Sequence, residues 1–146
     1  MRDKLGLFGE DKEDKKLIND LLNWMEFNKI DYTNTFCYLM NIKTPEINCY
    51  KTNEFNHWTD RWKKRLNVKE ISSSKYLDLM RISNPIVIPR NHKVEEALIA
   101  ANENNLKLLK NLLTVLENPY TDQKNILDYQ CPLPITEKKF QTFCGT

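Results

Sequence analysis

Glycine is scarce in this 146-residue chain, occurring only as Gly6, Gly9 and Gly145. Phosphate-cradling loops rely on glycine because the backbone N–H groups must approach the phosphate closely. Neither a GxGxxG loop nor a Walker loop can therefore be written anywhere along the sequence. Histidine is scarcer still: His57 and His92 stand alone and far apart, which disfavours a histidine-based zinc site. Cys37, Cys49, Cys131 and Cys144 include no CxxC pair, and their wide spacing is unlike the close pairs of structural zinc sites. Long apolar runs are missing too, and with a mean hydropathy of −0.63 the sequence excludes a transmembrane helix. The first sixteen residues are charged where a signal peptide needs an apolar stretch. An excess of one charge is also lacking: 22 Lys and Arg against 20 Asp and Glu leave a net +2. That balance argues against a strongly basic nucleic-acid module or an acidic solvating tail. The expectation is a cytoplasmic chain with reduced thiols, no membrane partner, and an accessory rather than catalytic role.

What is present is helical pattern almost throughout. The length fits one domain with a tail, large enough to bury a core without disulfides. Residues 13–29 place Leu17, Ile18, Leu21, Leu22 and Met25 on one stripe, with Asn19, Asn23 and Glu26 opposite and Asp11 or Asp14 as cap. Residues 33–41 read as a short helix capped by Thr33, with Phe36, Leu39 and Met40 inward. Pro45 interrupts the pattern, making 43–52 a connector. A helix over 72–83 has Tyr76, Leu77 and Met80 as its apolar side. Pro85 and Pro89 then impose an extended passage. Helices over 91–103 (Val94, Ala97, Leu98 and Ala101 inward) and 106–117 (Leu106, Leu109, Leu112, Leu113 and Leu116) form an αα-hairpin, with Asn104 and Asn105 suited to a left-handed turn. The second stripe is broad enough to predict packing against two elements. The fold class expected is all-α, with about five to six helices in a helical domain 1–117. An extended tail, 118–146, follows, its Tyr120, Tyr129, Phe140 and Phe143 suggesting that it lies along a surface.

The helix over 53–67 admits two readings. Phe55, Trp58, Trp62 and Leu66 lie along one line, and Arg61, Lys63, Lys64 and Arg65 make the only basic cluster in the chain. Aromatics among cations can stack bases and neutralise phosphates. The four cations spread over most of the remaining circumference, however, so core tryptophans with solvated charges are the favoured reading and a nucleic-acid partner is not expected.

One stretch carries a resemblance. Asn84-Pro85-Ile86-Val87-Ile88-Pro89-Arg90-Asn91-His92-Lys93-Val94-Glu95-Glu96-Ala97 closely resembles a hallmark of the selenoprotein O family. Met1-Arg2-Asp3-Lys4-Leu5-Gly6-Leu7, Tyr32-Thr33-Asn34-Thr35-Phe36, the pair Trp58 and Trp62 with Arg61 and Leu66, and Leu116-Glu117-Asn118-Pro119-Tyr120 are similar to further family segments. So is the chain end, Phe140-Gln141-Thr142-Phe143-Cys144-Gly145-Thr146. The fit is looser at Cys131-Pro132-Leu133-Pro134 and across 43–55.

The resemblance implies the C-terminal part of a pseudokinase-like protein adenylyltransferase, which moves AMP from ATP to Ser, Thr or Tyr hydroxyls with magnesium. The family's catalytic, nucleotide-binding and metal-binding residues lie before anything present here, so no catalytic, cofactor-binding or metal residue carries over. The chain alone is expected to bind no cofactor and to be inactive, with the kinase-like region as its partner and self-association when that region is missing. The resemblance also implies a redox role for Cys144, including a disulfide to the kinase-like part, since this position is selenocysteine in some members. Cys37, on an inner helix face, and Cys131, hemmed in before Pro132, are expected to react more slowly. The alternative function is a free-standing helical module that binds a protein partner.

Overall fold

The computed structural model describes residues 1–45, 47–67, 72–124 and 126–133, and among them every regular element is helical. A 3-10 turn, Asp3–Leu5, leads into α1 (Asp14–Phe27) and α2 (Tyr32–Leu39); a second 3-10 turn, Ile47–Lys51, precedes α3 (Asn53–Asn67). Then come α4 (Ser73–Ser83), α5 (Asn91–Asn102), α6 (Lys107–Leu116) and the single turn α7 (Leu127–Gln130). The fold is all-α, as the sequence predicts, with one helix more than the count expected. The addition is α7, which lies within the stretch read as an extended tail.

The core forms where α1 meets α3. Leu17, Leu21 and Met25 face Phe55, Trp58, Trp62 and Leu66, all buried. The indole N–H of Trp58 donates to the Leu17 carbonyl and that of Trp62 to the Leu5 carbonyl, both at 2.8 Å. The rings thus satisfy their polar atoms inside the core, where burial of each large aromatic also contributes strongly. They are not on a surface that could stack bases. Arg65 of the basic cluster forks onto the buried Asp14, and Arg61 pairs with Asp20 at 2.7 Å. Lys63 and Lys64 point to solvent.

Helix ends depart from the sequence reading in two places. Asp31, not Thr33, caps α2, its side chain accepting from the Asn34 N–H. Asp11 accepts from the Glu13 N–H before α1, while Asp14 sits inside the helix and faces Arg65. Three helices stop with a residue in the left-handed region: Lys29, Asn41 and Asn104. Each is followed by an N–H that reaches back to a carbonyl in the last helical turn, from Ile30 to Met25, Ile42 to Cys37 and Asn105 to Ala100.

One stretch without periodicity and one residue off the helical stripe enter the core. Tyr50, in the 43–52 connector, is buried and stacks on Tyr38. Trp24, on the flank of α1, packs at 4.6 Å on Phe55. The hairpin of α5 and α6 forms as expected, closing on Ala97 and Leu112. The second neighbour predicted for α6 is found toward its C-terminal end, where Val115 and Leu116 pack against the main core and Leu108 and Leu112 line a small cavity with Asp128 and Tyr129 of α7, whereas Leu98, Leu106 and Leu113, expected inward, are exposed. The apolar stripe of α6 spans more of the helix than α5 and the core together shield.

Candidate functional site

The segment 84–91, extended because of its two prolines, threads between the helices and gathers buried polar groups around it. Asn84 donates to the Lys4 carbonyl at 2.9 Å and to the Met80 carbonyl at 2.8 Å, tying the end of α4 to the N-terminal turn. The Lys4 ammonium donates to the Ser83 carbonyl at 2.9 Å and lies 5.6 Å from the centre of the Phe36 ring. Burial lowers the Lys4 pKa, and its favourable place at a helix C-terminus offsets part of that penalty. Two residues on, the Ile86 N–H donates to the Pro119 carbonyl at 2.7 Å, and its carbonyl accepts from Gln130 at 2.8 Å.

At the end of the segment Arg90 forks onto Asp31, at 2.5 Å and 3.0 Å, and also donates to the Gln130 carbonyl at 3.0 Å. Asn34 donates to that same carbonyl at 3.0 Å. Both charged side chains are largely buried, at 12% and 14% exposure. One cluster therefore ties the start of α2, the start of α5 and the end of α7. The atoms Asn34 Oδ1, Gln130 Oε1 and Arg90 Nε have no partner here, a cost of about 1–3 kcal/mol each that the bidentate pair and shared carbonyl must outweigh.

The polar groups of this joint are engaged mainly with one another. Cys37 lies beside it, fully buried, and burial, reinforced by the Asp31 charge, pushes its thiol up to about 12. It carries essentially no thiolate at neutral pH, in keeping with the slow reactivity expected of it. Cys131 differs from the expectation: it is exposed, because α7 ends at Gln130 and turns the following residue outward. Cys144 lies outside the described residues, as do Phe140 and Phe143. A cleft between α1 and α3, lined by Glu13, Asp14, Lys16, Leu17, Arg61 and Arg65, has its charges largely matched, with Asp20 accepting from both Lys16 and Arg61. Among the described residues no three of His, Cys, Asp and Glu gather in a group that could hold a metal ion, and no helix is long and apolar enough to cross a membrane.

The sequence pointed to the 84–97 block and to the segment that holds Asn34, but not to Asp31 or Gln130. Asp31 and Thr33 are both capping residue types, and only the approach of Arg90 from 59 residues away selects the former. Gln130 belongs to a single turn too short to show a period.

Comparison with known proteins bears on what this joint serves. Residues 1–117 match the family described as protein adenylyltransferase SelO. The whole chain is 52% identical to protein nucleotidyltransferase YdiU of Pelagibacter ubique, 50% to that of Nitrosococcus oceani and 45% to that of Clostridium botulinum strain Eklund 17B. In each case the match covers 100% of this chain and 30% of the relative. The 84–97 block and the segments around Lys4, Tyr32, Trp58 and Trp62, which build the joint and the core, fall within the matched residues. The chain belongs to the protein adenylyltransferase SelO family.

Proposed function

We propose that this chain is the C-terminal helical portion of a protein adenylyltransferase, an enzyme that transfers AMP from ATP, with magnesium, to Ser, Thr or Tyr hydroxyls of proteins. The observation that carries the reading is the identity of 45–52% along the entire chain to relatives of which it spans only 30%. Such identity over a partial length favours a segment of a longer enzyme over a free-standing interaction module. Within that enzyme the chain supplies support, its helices bracing the kinase-like region. Nucleotidyl transfer depends on positioning and charge neutralisation, so a brace can govern rate without touching substrate. The joint of Asp31, Arg90 and Gln130 suits that task, because it fixes α2, α5 and α7 against one another. ATP and magnesium belong to the kinase-like region, and Cys144 is the redox residue of this chain.

Calorimetric titration of the isolated chain with Mg-ATP tests the division of labour. No saturable binding is expected. A stoichiometric site of micromolar affinity would assign nucleotide to this chain and overturn the reading.

A further inference from the structure

We infer that the outer side of α6, with Leu106 and Leu113 at its centre, is the face that docks onto the part of the longer family polypeptide this chain lacks; the inference rests on the reading just proposed. Leu106 and Leu113 lie two helical turns apart on one side of the helix and are 48% and 52% exposed. Leu98 of α5 is exposed as well. Phe27 and Ile82 are exposed singly on other helices, which is ordinary for a protein surface. The α6 leucines differ because they extend a stripe whose far edge, at Leu112, is buried. A broad apolar stripe is built to be covered along its length, and here α5 and the main core cover it at Leu112, Val115 and Leu116 but leave Leu106 and Leu113 open.

Two observations identify what covers the open part of the stripe. About 70% of the length of the matched relatives lies outside this chain, while the family match runs through Glu117 and so includes the whole of α6. The charge is one-sided as well: Lys107 and Lys110 border the leucines, and α6 holds no acidic residue. The complementary surface is therefore an apolar patch rimmed by carboxylates, the usual arrangement of a dry centre with a charged border.

The test uses a chimera in which this chain replaces the matching 30% of the Pelagibacter ubique relative, compared with the chain alone. Leu113→Cys is introduced in both, and its maleimide labelling is read by peptide mass spectrometry alongside the exposed Cys131. Labelling in the chimera is expected to be slower by roughly tenfold or more, as for a site reached only by local opening. In parallel, the pair Leu106→Glu and Leu113→Glu should lower the melting temperature of the chimera and leave that of the chain nearly unchanged, as surface substitutions do. A chimera that transfers AMP yet labels Leu113→Cys as fast as the chain alone overturns this inference and leaves the proposed function standing. A chimera that fails to fold or to transfer AMP overturns the proposed function and the inference with it. A stable dimer of the chain alone, broken by the glutamate pair while chimera labelling stays fast, gives the face to a second copy and also overturns the inference.

Discussion

Arg90 and Asp31 meet through both terminal guanidinium nitrogens and both carboxylate oxygens, 59 residues apart in sequence and nearly out of reach of water. Asp31 at once caps α2 and anchors the start of α5, so one carboxylate sets the position of two helices. The arginine in turn holds the Gln130 carbonyl that ends α7.

Removing either partner leaves a buried charge alone. Arg90→Ala and Asp31→Ala should each cost about 3–5 kcal/mol, the aspartate change including about 1 kcal/mol of lost cap. The double substitution should cost clearly less than the two added together, because the second change removes the charge that the first left unpaired. Chemical denaturation of the four variants checks this; additive losses, or losses below 1 kcal/mol, would mean that the pair does not hold the joint.

Gly6 adopts φ of 67°, and a Cβ there would stand 2.9 Å from both the Cβ and the carbonyl oxygen of Tyr76 on α4. Those neighbours include backbone, so the N-terminal turn or α4 must shift. Gly6→Ala should destabilise by at least about 2 kcal/mol, combining left-handed strain with the overlap. A melting temperature within a degree or two of the parent would contradict the packing of α4 on this turn.

Alkaline stability reports on Cys37. Its thiol, held up to about 12 by burial, stays protonated in the folded chain while the unfolded chain ionises from about pH 8.5. The folded pKa is the higher, so the contribution is intact below about pH 8.5 and is lost as the pH rises toward 12, at no more than about 1.4 kcal/mol per pH unit. Tyr50, also raised by burial, acts in the same direction at higher pH, and Lys4, lowered by burial, acts against both. Urea midpoints measured at several pH values from 7 to about 10 should therefore fall less steeply for Cys37→Ala than for the parent. Equal slopes would show that the thiol is not desolvated.

The same burial orders the thiols by reactivity. Under native conditions Cys37 should resist alkylation until the chain unfolds, while the exposed Cys131 labels freely. The redox role proposed for Cys144 requires it to label much faster than Cys37 as well. Cys144 modified no faster than Cys37, or already bridged to Cys131, would end that role.

The helices were legible because their apolar residues recur on one face. Phe55, Trp58, Trp62 and Leu66 marked α3, and its predicted bounds agree with Asn53–Asn67. Tyr50 was hidden because a single aromatic in a connector has no period, although ring contacts with Trp24, Tyr38 and Phe55 make it central to the core. The joint was only half visible: the 84–97 block and the segment holding Asn34 stood out, but Asp31 and Gln130 are ordinary polar residues until the fold brings them together. Leu106 and Leu113 were read as buried because composition shows that a face is apolar, not which molecule or segment covers it.

The central claim is that this chain supports AMP transfer without supplying its chemistry. It is tested most directly by assaying ATP- and magnesium-dependent AMP incorporation into protein by three samples: the chimera with the Pelagibacter ubique relative, that relative with the matching 30% deleted, and this chain alone. The account predicts incorporation by the chimera, loss of it in the deleted relative, and none by the chain. Incorporation by the chain alone, or undiminished activity in the deleted relative, would contradict it.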